Sequence, residues 1–177
     1  MVLDKVDIDI AVRKIEKTVT AKLLQEWDAQ GHSMTDKVVN DMHYVIQYIS
    51  EYIFISGYMY EYGGYIETGT PAENIPFSPG SGNKRSMYIE GLIKYVEKRM
   101  GLFDKQAKKV AFAIAHTQKR EGMPTRGSFK YSSNGKRTGW IDDSLAKASP
   151  DISEIIRKTW KEIIQADFTN LVRNYKT

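Results

Sequence analysis

The spacing of apolar residues changes twice along the chain, and this restricts the fold more than any other feature. Between residues 8 and 30, apolar side chains recur every three or four positions, which predicts an amphipathic helix that ends at Gly31. From residue 35 to residue 57, β-branched and aromatic residues dominate, which favours strands. After Pro79 the spacing is helical again. The sequence therefore predicts an α+β fold in which a small antiparallel sheet packs with helices.

The strand region predicts a β-hairpin with Ser50 and Glu51 at its turn and Gly57 at the end of its second strand. Both faces of the first strand are rich in apolar and aromatic side chains, with Tyr44, Ile46 and Tyr48 on one face and Val45, Gln47 and Ile49 on the other. Val39, further upstream, fits the same strand pattern. We therefore expect either a sheet covered on both faces or one face that meets another chain.

A central helical hairpin is predicted downstream of the strands. Its first helix begins after Ser86 and closes at Gly101, and its second begins at Asp104, which we expect to act as the N-cap. The second helix ends at Gly122. Small side chains permit tight packing between the two helices, namely those of Ala107, Ala111 and Ala115.

A long C-terminal helix is predicted to begin at Ser149 and Pro150, because serine is favoured at the N-cap and proline at the first helical position. An apolar stripe continues along it from Ile152 to Val172. The preceding residues, 140–148, fit either a short helix or a strand.

Residues 60–77, YEYGGYIETGTPAENIPF, join the strands to the helices. Gly63, Gly64 and Gly69 are expected where the backbone turns or approaches another group closely, since only glycine adopts positive φ without strain. Glu67 is adjacent to the predicted turn at residues 68–70. We expect its carboxylate to be buried and to accept hydrogen bonds from the amides of that turn.

The segment YGGYIETGT, residues 62–70, resembles a Tyr-x-x-(Tyr/Phe)-(Val/Ile)-Glu-x-Gly-Thr signature of small neck and tail-completion proteins of tailed bacteriophages. The motif residues that carry the resemblance are Tyr62, Ile66, Glu67, Gly69, Thr70, Pro76 and Phe77. Similar features follow in the family's order: a helix closing at Gly101, an alanine-rich helix at 107–124, and Trp140 before a terminal helix. One departure is TDKV at residues 35–38, where the family often has Thr-Gly-x-Leu.

This resemblance implies a structural protein of the virion that belongs to the head–tail connector and is not an enzyme. It implies that the chain joins the portal to the tail as part of an oligomeric ring, with copies of itself and portal, adaptor and tail proteins as partners. Genomic DNA in the channel is a further partner to consider. Such a protein is made in the host cytoplasm and ends in the neck or tail of the virion.

The amino-acid composition limits the kinds of catalytic and binding site that the chain can form. A hydrophobic fraction of 41% and a charged fraction of 27% are ordinary for a single domain over residues 1–177. The absence of cysteine excludes disulfides and thiol catalysis, and no apolar run is long enough to predict a membrane span or a secretory signal. His32, His43 and His116 lack metal-ligand spacing, and the glycine-rich residues 80–86 lack the spacing of a phosphate-binding loop. We expect no catalytic residue, metal or cofactor.

The basic segment, residues 119–139, has six basic side chains and one acidic side chain in a protein of net charge +4. Its predicted contacts with a partner or neighbouring subunit are Lys119, Arg120, Arg126, Phe129, Lys130, Tyr131, Lys136 and Arg137. A solvated loop, a docking site for an acidic protein and a contact with DNA all fit this composition. A hairpin with residues 128–131 as a strand and its turn at Asn134-Gly135 also fits. We expect the segment to project from its domain and to become ordered on another chain. A small basic nucleic-acid-binding protein is the alternative function.

Overall fold

The structure, a computed structural model, describes residues 5–32, 37–49, 52–80 and 86–174. It is 69% helical with one two-stranded antiparallel sheet, which confirms the predicted α+β class. The elements are α1 (Lys5–Ala29), α2 (Lys37–Asn40), β1 (His43–Ile49), β2 (Tyr52–Tyr58), α3 (Tyr62–Thr68), α4 (Met87–Met100), α5 (Asp104–Glu121) and α6 (Trp140–Asn174), with 3-10 helices at Ala72–Asn74 and Arg126–Tyr131.

The described chain divides into two compact units. The first unit contains α1 up to Asp28, α2, both strands and α6. The second unit contains residues 29–32, α3, α4, α5 and both 3-10 helices. Each unit has its own buried apolar side chains.

In the first unit, α1 and α6 pack in antiparallel directions. The rings of Trp27 and Trp140 meet edge to face with centroids 4.9 Å apart, and both side chains are buried. Nearer the start of α1, Lys22 forms an ion pair with Asp151, further along α6, with 3.5 Å between Nζ and Oδ2. Leu23 is buried, so the apolar face of α1 follows the predicted spacing.

The helix α6 begins at Trp140, which corrects the predicted start at Ser149 and resolves residues 140–148 as helix. Pro150 therefore lies inside the helix, where it removes one backbone hydrogen bond. Buried side chains on both sides of the proline, Trp140 and Ala148 before it and Ile163 after it, hold the helix on its unit. Burial thus outweighs the local preference of proline for a helix start.

The hairpin has seven cross-strand pairs, from His43 opposite Tyr58 to Ile49 opposite Tyr52. It confirms the two predicted strands, whereas the predicted turn at residues 50 and 51 lies outside the described residues. One face contacts α1 through hydroxyls, since those of Tyr44 and Thr20 are 2.8 Å apart and that of Tyr48 donates to the Asp9 carboxylate.

One residue assigned to the strand region is in a helix instead. Val39 belongs to α2, a four-residue helix, so its assignment to a strand is wrong. The neighbouring Val38 is buried, and burial of that side chain accompanies the helical turn.

The predicted helical hairpin forms the core of the second unit. Gly101 ends α4 with φ +63°, and the predicted small side chains of Ala107, Ala111 and Ala115 are all completely buried. Asp104 is the first residue of α5 and not its cap, because Phe103 occupies the cap position. Ser86 precedes α4 as predicted, but its side chain makes no capping hydrogen bond.

The segment between the strands and the central hairpin differs from the prediction. Strand β2 ends at Tyr58, and α3 includes Gly63 and Gly64, which are therefore helical. The expected positive φ occurs only at Gly69, where it is +76°. Local composition suggested a turn, yet glycine costs only about 1 kcal/mol relative to alanine in a helix, which packing can offset.

Candidate interaction surfaces

The motif residues 62–77 are hydrogen-bonded, within the second unit, to the residues that follow α5. The amide of Thr70 donates to the Met123 carbonyl and the amide of Met123 donates to the Thr70 carbonyl, both at 2.7 Å. The motif is thereby fixed to the residues that follow α5. The Thr70 amide therefore serves this bridge, whereas the sequence predicted that the amides of residues 68–70 donate to the Glu67 carboxylate.

Glu67 itself is half-buried, and its backbone carbonyl accepts a hydrogen bond of 2.9 Å from the amide of Gly139. Glu67 is therefore partly buried, whereas we expected a buried carboxylate. The contact joins the motif to the end of the basic segment within the second unit.

Close backbone approach explains Gly69. A Cβ atom placed there would lie 2.6 Å from the Met123 carbonyl oxygen. The reciprocal position, Gly122, has φ +80°, and a Cβ there would lie 2.7 Å from the Thr70 carbonyl oxygen. Each glycine thus makes room for the backbone of the other segment.

The other motif residues divide between core and surface. Phe77 is buried with Ile75, and its ring meets His116 edge to face with centroids 4.9 Å apart. Ile66 is half-buried, and Tyr62 and Pro76 are exposed. The motif is therefore mainly a structural element of its unit.

The basic segment packs on its own unit, which corrects the expectation that it projects. Arg137 Nη1 donates to the carbonyl oxygens of Gln30 and Gly31, at 2.5 Å and 3.1 Å. The amide of Ser133 donates to the Ala29 carbonyl at 2.7 Å. Residues 126–131 form a 3-10 helix, so the alternative of a hairpin strand there is also wrong. A turn does occur at Asn134, whose Oδ1 accepts from the amide of Lys136 at 3.0 Å.

Lys119 is likewise engaged within the second unit. Its Nζ donates to the carbonyl oxygens of Glu73 and Ile75, at 3.2 Å and 3.1 Å. The ammonium group thereby holds the 3-10 helix Ala72–Asn74 against α5. Two of the six predicted basic contact residues, Lys119 and Arg137, therefore already serve the fold.

Three of the remaining predicted residues, Arg120, Arg126 and Phe129, line one cleft together with the carboxylate of Glu121. Arg120 donates to Glu121 at 2.7 Å, and the backbone amide of Arg126 donates to the other carboxylate oxygen at 3.1 Å. These hydrogen bonds, that of Arg120 first, lower the pKa of Glu121. A shallow cleft of about 380 Å³ is lined by Arg120, Glu121, Pro124, Arg126 and Phe129. Beside it, Lys130 Nζ lies 5.0 Å from the ring centroid of the exposed Tyr131.

Replacing Arg137 with serine is expected to lower the free energy of unfolding by about 1.5–3 kcal/mol, because two carbonyl acceptors lose a charged donor. Arg126→Ser is the matched control, since its side chain is exposed and it is expected to change stability by about 0.5 kcal/mol or less. Urea unfolding followed by circular dichroism measures both. Equal stability of the two variants would contradict the structural role of Arg137.

The first unit exposes an apolar surface whose residues were not among the predicted contact residues. The outer hairpin face comprises the side chains turned away from α1, namely His43, Val45, Gln47, Ile49, Tyr52, Phe54, Ser56 and Tyr58. Its apolar and aromatic members are 40–67% exposed. Of the two alternatives left open by the apolar strands, the structure therefore shows one face on α1 and one face open. The sequence feature that indicated this surface is the presence of apolar and aromatic residues on both faces of β1 and again in β2.

A second exposed apolar surface lies on α6. The C-terminal stripe comprises Ile156, Trp160, Ile164 and Phe168, spaced four residues apart and 43–68% exposed. Side chains at this spacing form one ridge along a helix. The sequence indicated the apolar content of α6, but Ile163 is its one buried large side chain after Pro150 among the described residues. Trp160 was missed, although its spacing to Ile156 and Ile164 was visible.

Within the described ranges, no group of three or more histidine, aspartate or glutamate side chains is arranged to hold a metal ion. Burial, and secondarily the nearby Arg137, lowers the pKa of His32 to about 4, so this imidazole is neutral at pH 7. In the part of the chain that the structure describes, no helix combines the length and apolar character needed to cross a membrane.

Comparisons with known proteins add no relative: no family model, no curated protein and no solved structure matches this chain.

Proposed function

We propose that this chain is a structural subunit of a head–tail connector in a tailed bacteriophage, either a neck-ring or a tail-completion protein. In this role it joins the portal to the tail as part of an oligomeric ring and performs no catalysis. The ordered resemblance of residues 35–175 supports the family, and the exposed apolar surfaces of the first unit support the role. The observation that carries the proposal is the open outer hairpin face.

Apolar exposure on this scale favours an assembly subunit. The largest contiguous apolar patch of a typical soluble monomer covers about 300–600 Å² and is often a site of interaction. Here Tyr52, Phe54 and Tyr58 share one face of a sheet, and Trp160 and Phe168 share one ridge of a helix. A ring of identical subunits needs two different surfaces on each copy, because each copy contacts one neighbour on either side. The outer hairpin face and the C-terminal stripe supply two surfaces of that kind.

The exposed part of the basic segment suits a smaller, polar contact. Arg120 and Arg126 flank the cleft, and Phe129 gives it an apolar wall. This combination fits an acidic side chain of a portal, adaptor or tail protein. The alternative of a nucleic-acid-binding protein is less favoured, because Lys119 and Arg137 donate to carbonyl oxygens of their own unit.

Deleting the coding sequence of this chain from a genome that encodes it is the direct test of the role. We expect filled heads and separate tails instead of complete particles, and complementation with the wild-type chain should restore joined particles. Electron microscopy and the plaque count measure both. Normal yields of complete, infectious particles after the deletion would contradict the proposed function.

A further inference from the structure

The two strands of the hairpin contain no charged residue. Neither HYVIQYI in β1 nor YIFISGY in β2 includes an aspartate, glutamate, lysine or arginine, in a chain whose charged fraction is 27%. An antiparallel sheet with one face in water usually carries polar or charged residues on that face. The pairing of β1 with β2 is continuous over seven pairs and contains no proline. The outer hairpin face therefore lacks the charged side chains that a solvated sheet face usually carries.

The exposed aromatic area of the outer hairpin face suits a weak contact. Tyr52, Phe54 and Tyr58 are 67%, 48% and 51% exposed. At roughly 200 Å² for each aromatic side chain, the three rings expose about 330 Å² before Val45 and Ile49 are added. A standard stable interface buries about 800 Å² on each partner, so an interface built on this face alone is a weak one.

The polar groups of the outer hairpin face are compatible with an identical face. The side chains of Gln47, Tyr52, Ser56 and Tyr58 each contain both a hydrogen-bond donor and an acceptor. Each can therefore donate to, or accept from, a polar side chain of an identical face. Because the face contains no aspartate, glutamate, lysine or arginine, two copies also meet without like-charge repulsion between such side chains.

We propose that a second copy of this chain covers the outer hairpin face in the free protein, with the two identical faces packed against each other about a two-fold axis. Two sheets packed in this way lie about 10 Å apart. The contact is weak, with a dissociation constant in the micromolar range, and it leaves the C-terminal stripe for other contacts. This inference concerns the free chain, so it stands or falls separately from the proposed role in the particle.

A charge exchange at Phe54 tests the contact. Phe54→Asp and Phe54→Lys each place like charges on both copies, and each variant alone is expected to associate about 10- to 100-fold more weakly than the wild type. An equimolar mixture of the two variants is expected to recover association, because opposite charges then meet. Sedimentation velocity across a concentration series measures all three samples, and circular dichroism checks that each variant is folded.

Phe168 is the matched control, since it is also an exposed phenylalanine but lies on the C-terminal stripe. Phe168→Asp is expected to leave the self-association of the free chain unchanged. A cross-link gives a second measurement should the Phe54 variants fail to fold. Because the chain has no cysteine, Gln47→Cys provides a single thiol on the face and Gln25→Cys provides a matched thiol on α1. A short bis-maleimide should join two copies of the first variant and not of the second.

Recovery in the mixed sample, or a cross-link at residue 47 alone, supports the pairing. The pairing is wrong if the wild type remains monomeric throughout the concentration series, or if Phe168→Asp is the variant that abolishes association. Equal cross-linking at residues 25 and 47 would also overturn it. Any of these results leaves the deletion test of the proposed function unaffected.

Discussion

Replacing Trp140 with alanine is expected to lower the free energy of unfolding by about 3–5 kcal/mol, the largest effect of any single substitution considered for this chain. The side chain of Trp140 is completely buried, and its ring packs edge to face on that of Trp27 at 4.9 Å. Alanine would leave a cavity between α1 and α6 that the two helices fill only partly. At about 2–4 °C for each kcal/mol, the melting temperature should fall by roughly 6–20 °C.

Trp160→Ala is the matched control for this prediction, because Trp160 lies on the same helix and is 46% exposed. It is expected to change stability by about 0.5 kcal/mol or less. Thermal and urea unfolding by circular dichroism compare the two variants. If both lost the same stability, the Trp27–Trp140 contact would not be what fastens α6 to α1.

Replacing Gly69 with alanine is expected to destabilise the second unit by about 2–4 kcal/mol. The backbone at Gly69 has φ +76° and ψ −177°, a region that is nearly exclusive to glycine. The new Cβ would also lie 2.6 Å from the Met123 carbonyl oxygen, so the bridge between Thr70 and Met123 must open.

Gly64→Ala, five residues earlier in the same motif, is the control. Gly64 lies in α3, and nothing is within 4 Å of a Cβ placed there. Alanine at this position should be neutral or stabilise the unit by about 0.5–1 kcal/mol, since it favours the helix. Urea unfolding distinguishes the two substitutions. Similar changes in stability at both positions would contradict the role of Gly69 in making room for the bridge between Thr70 and Met123.

Sequence patterns predicted the elements that depend on local spacing. The amphipathic period of α1 with its stop at Gly31, and the buried alanines of α5, are confirmed because each follows from side chains three or four residues apart. The hairpin was predictable for the same reason, since its β-branched and aromatic residues are contiguous.

The errors arose where distant residues decide the structure. Arg137 bonds the carbonyl of Gln30, 107 residues away, and no local pattern announces such a contact. Pro150 is accommodated inside α6 because side chains before and after it are buried on the first unit. Helical Gly63 and Gly64 likewise contradict their local preference, and Gly63 is buried.

The sequence predicted the outer hairpin face only in part. The apolar character of both faces of β1 raised the alternative of contact with another chain, and this was the informative signal. Which face is open depends on the contacts of Tyr44 and Tyr48 with α1, which only the structure shows. The basic segment attracted attention through its charge, although part of that charge serves the fold.

The measurement that tests the account most directly is a cryo-electron microscopy reconstruction of particles that contain this chain. We expect several copies of the chain around the axis between head and tail, with each copy touching a like neighbour through apolar side chains of its first unit. Particles that lack the chain at that position, or that hold it only as single copies without a like neighbour, would contradict the account.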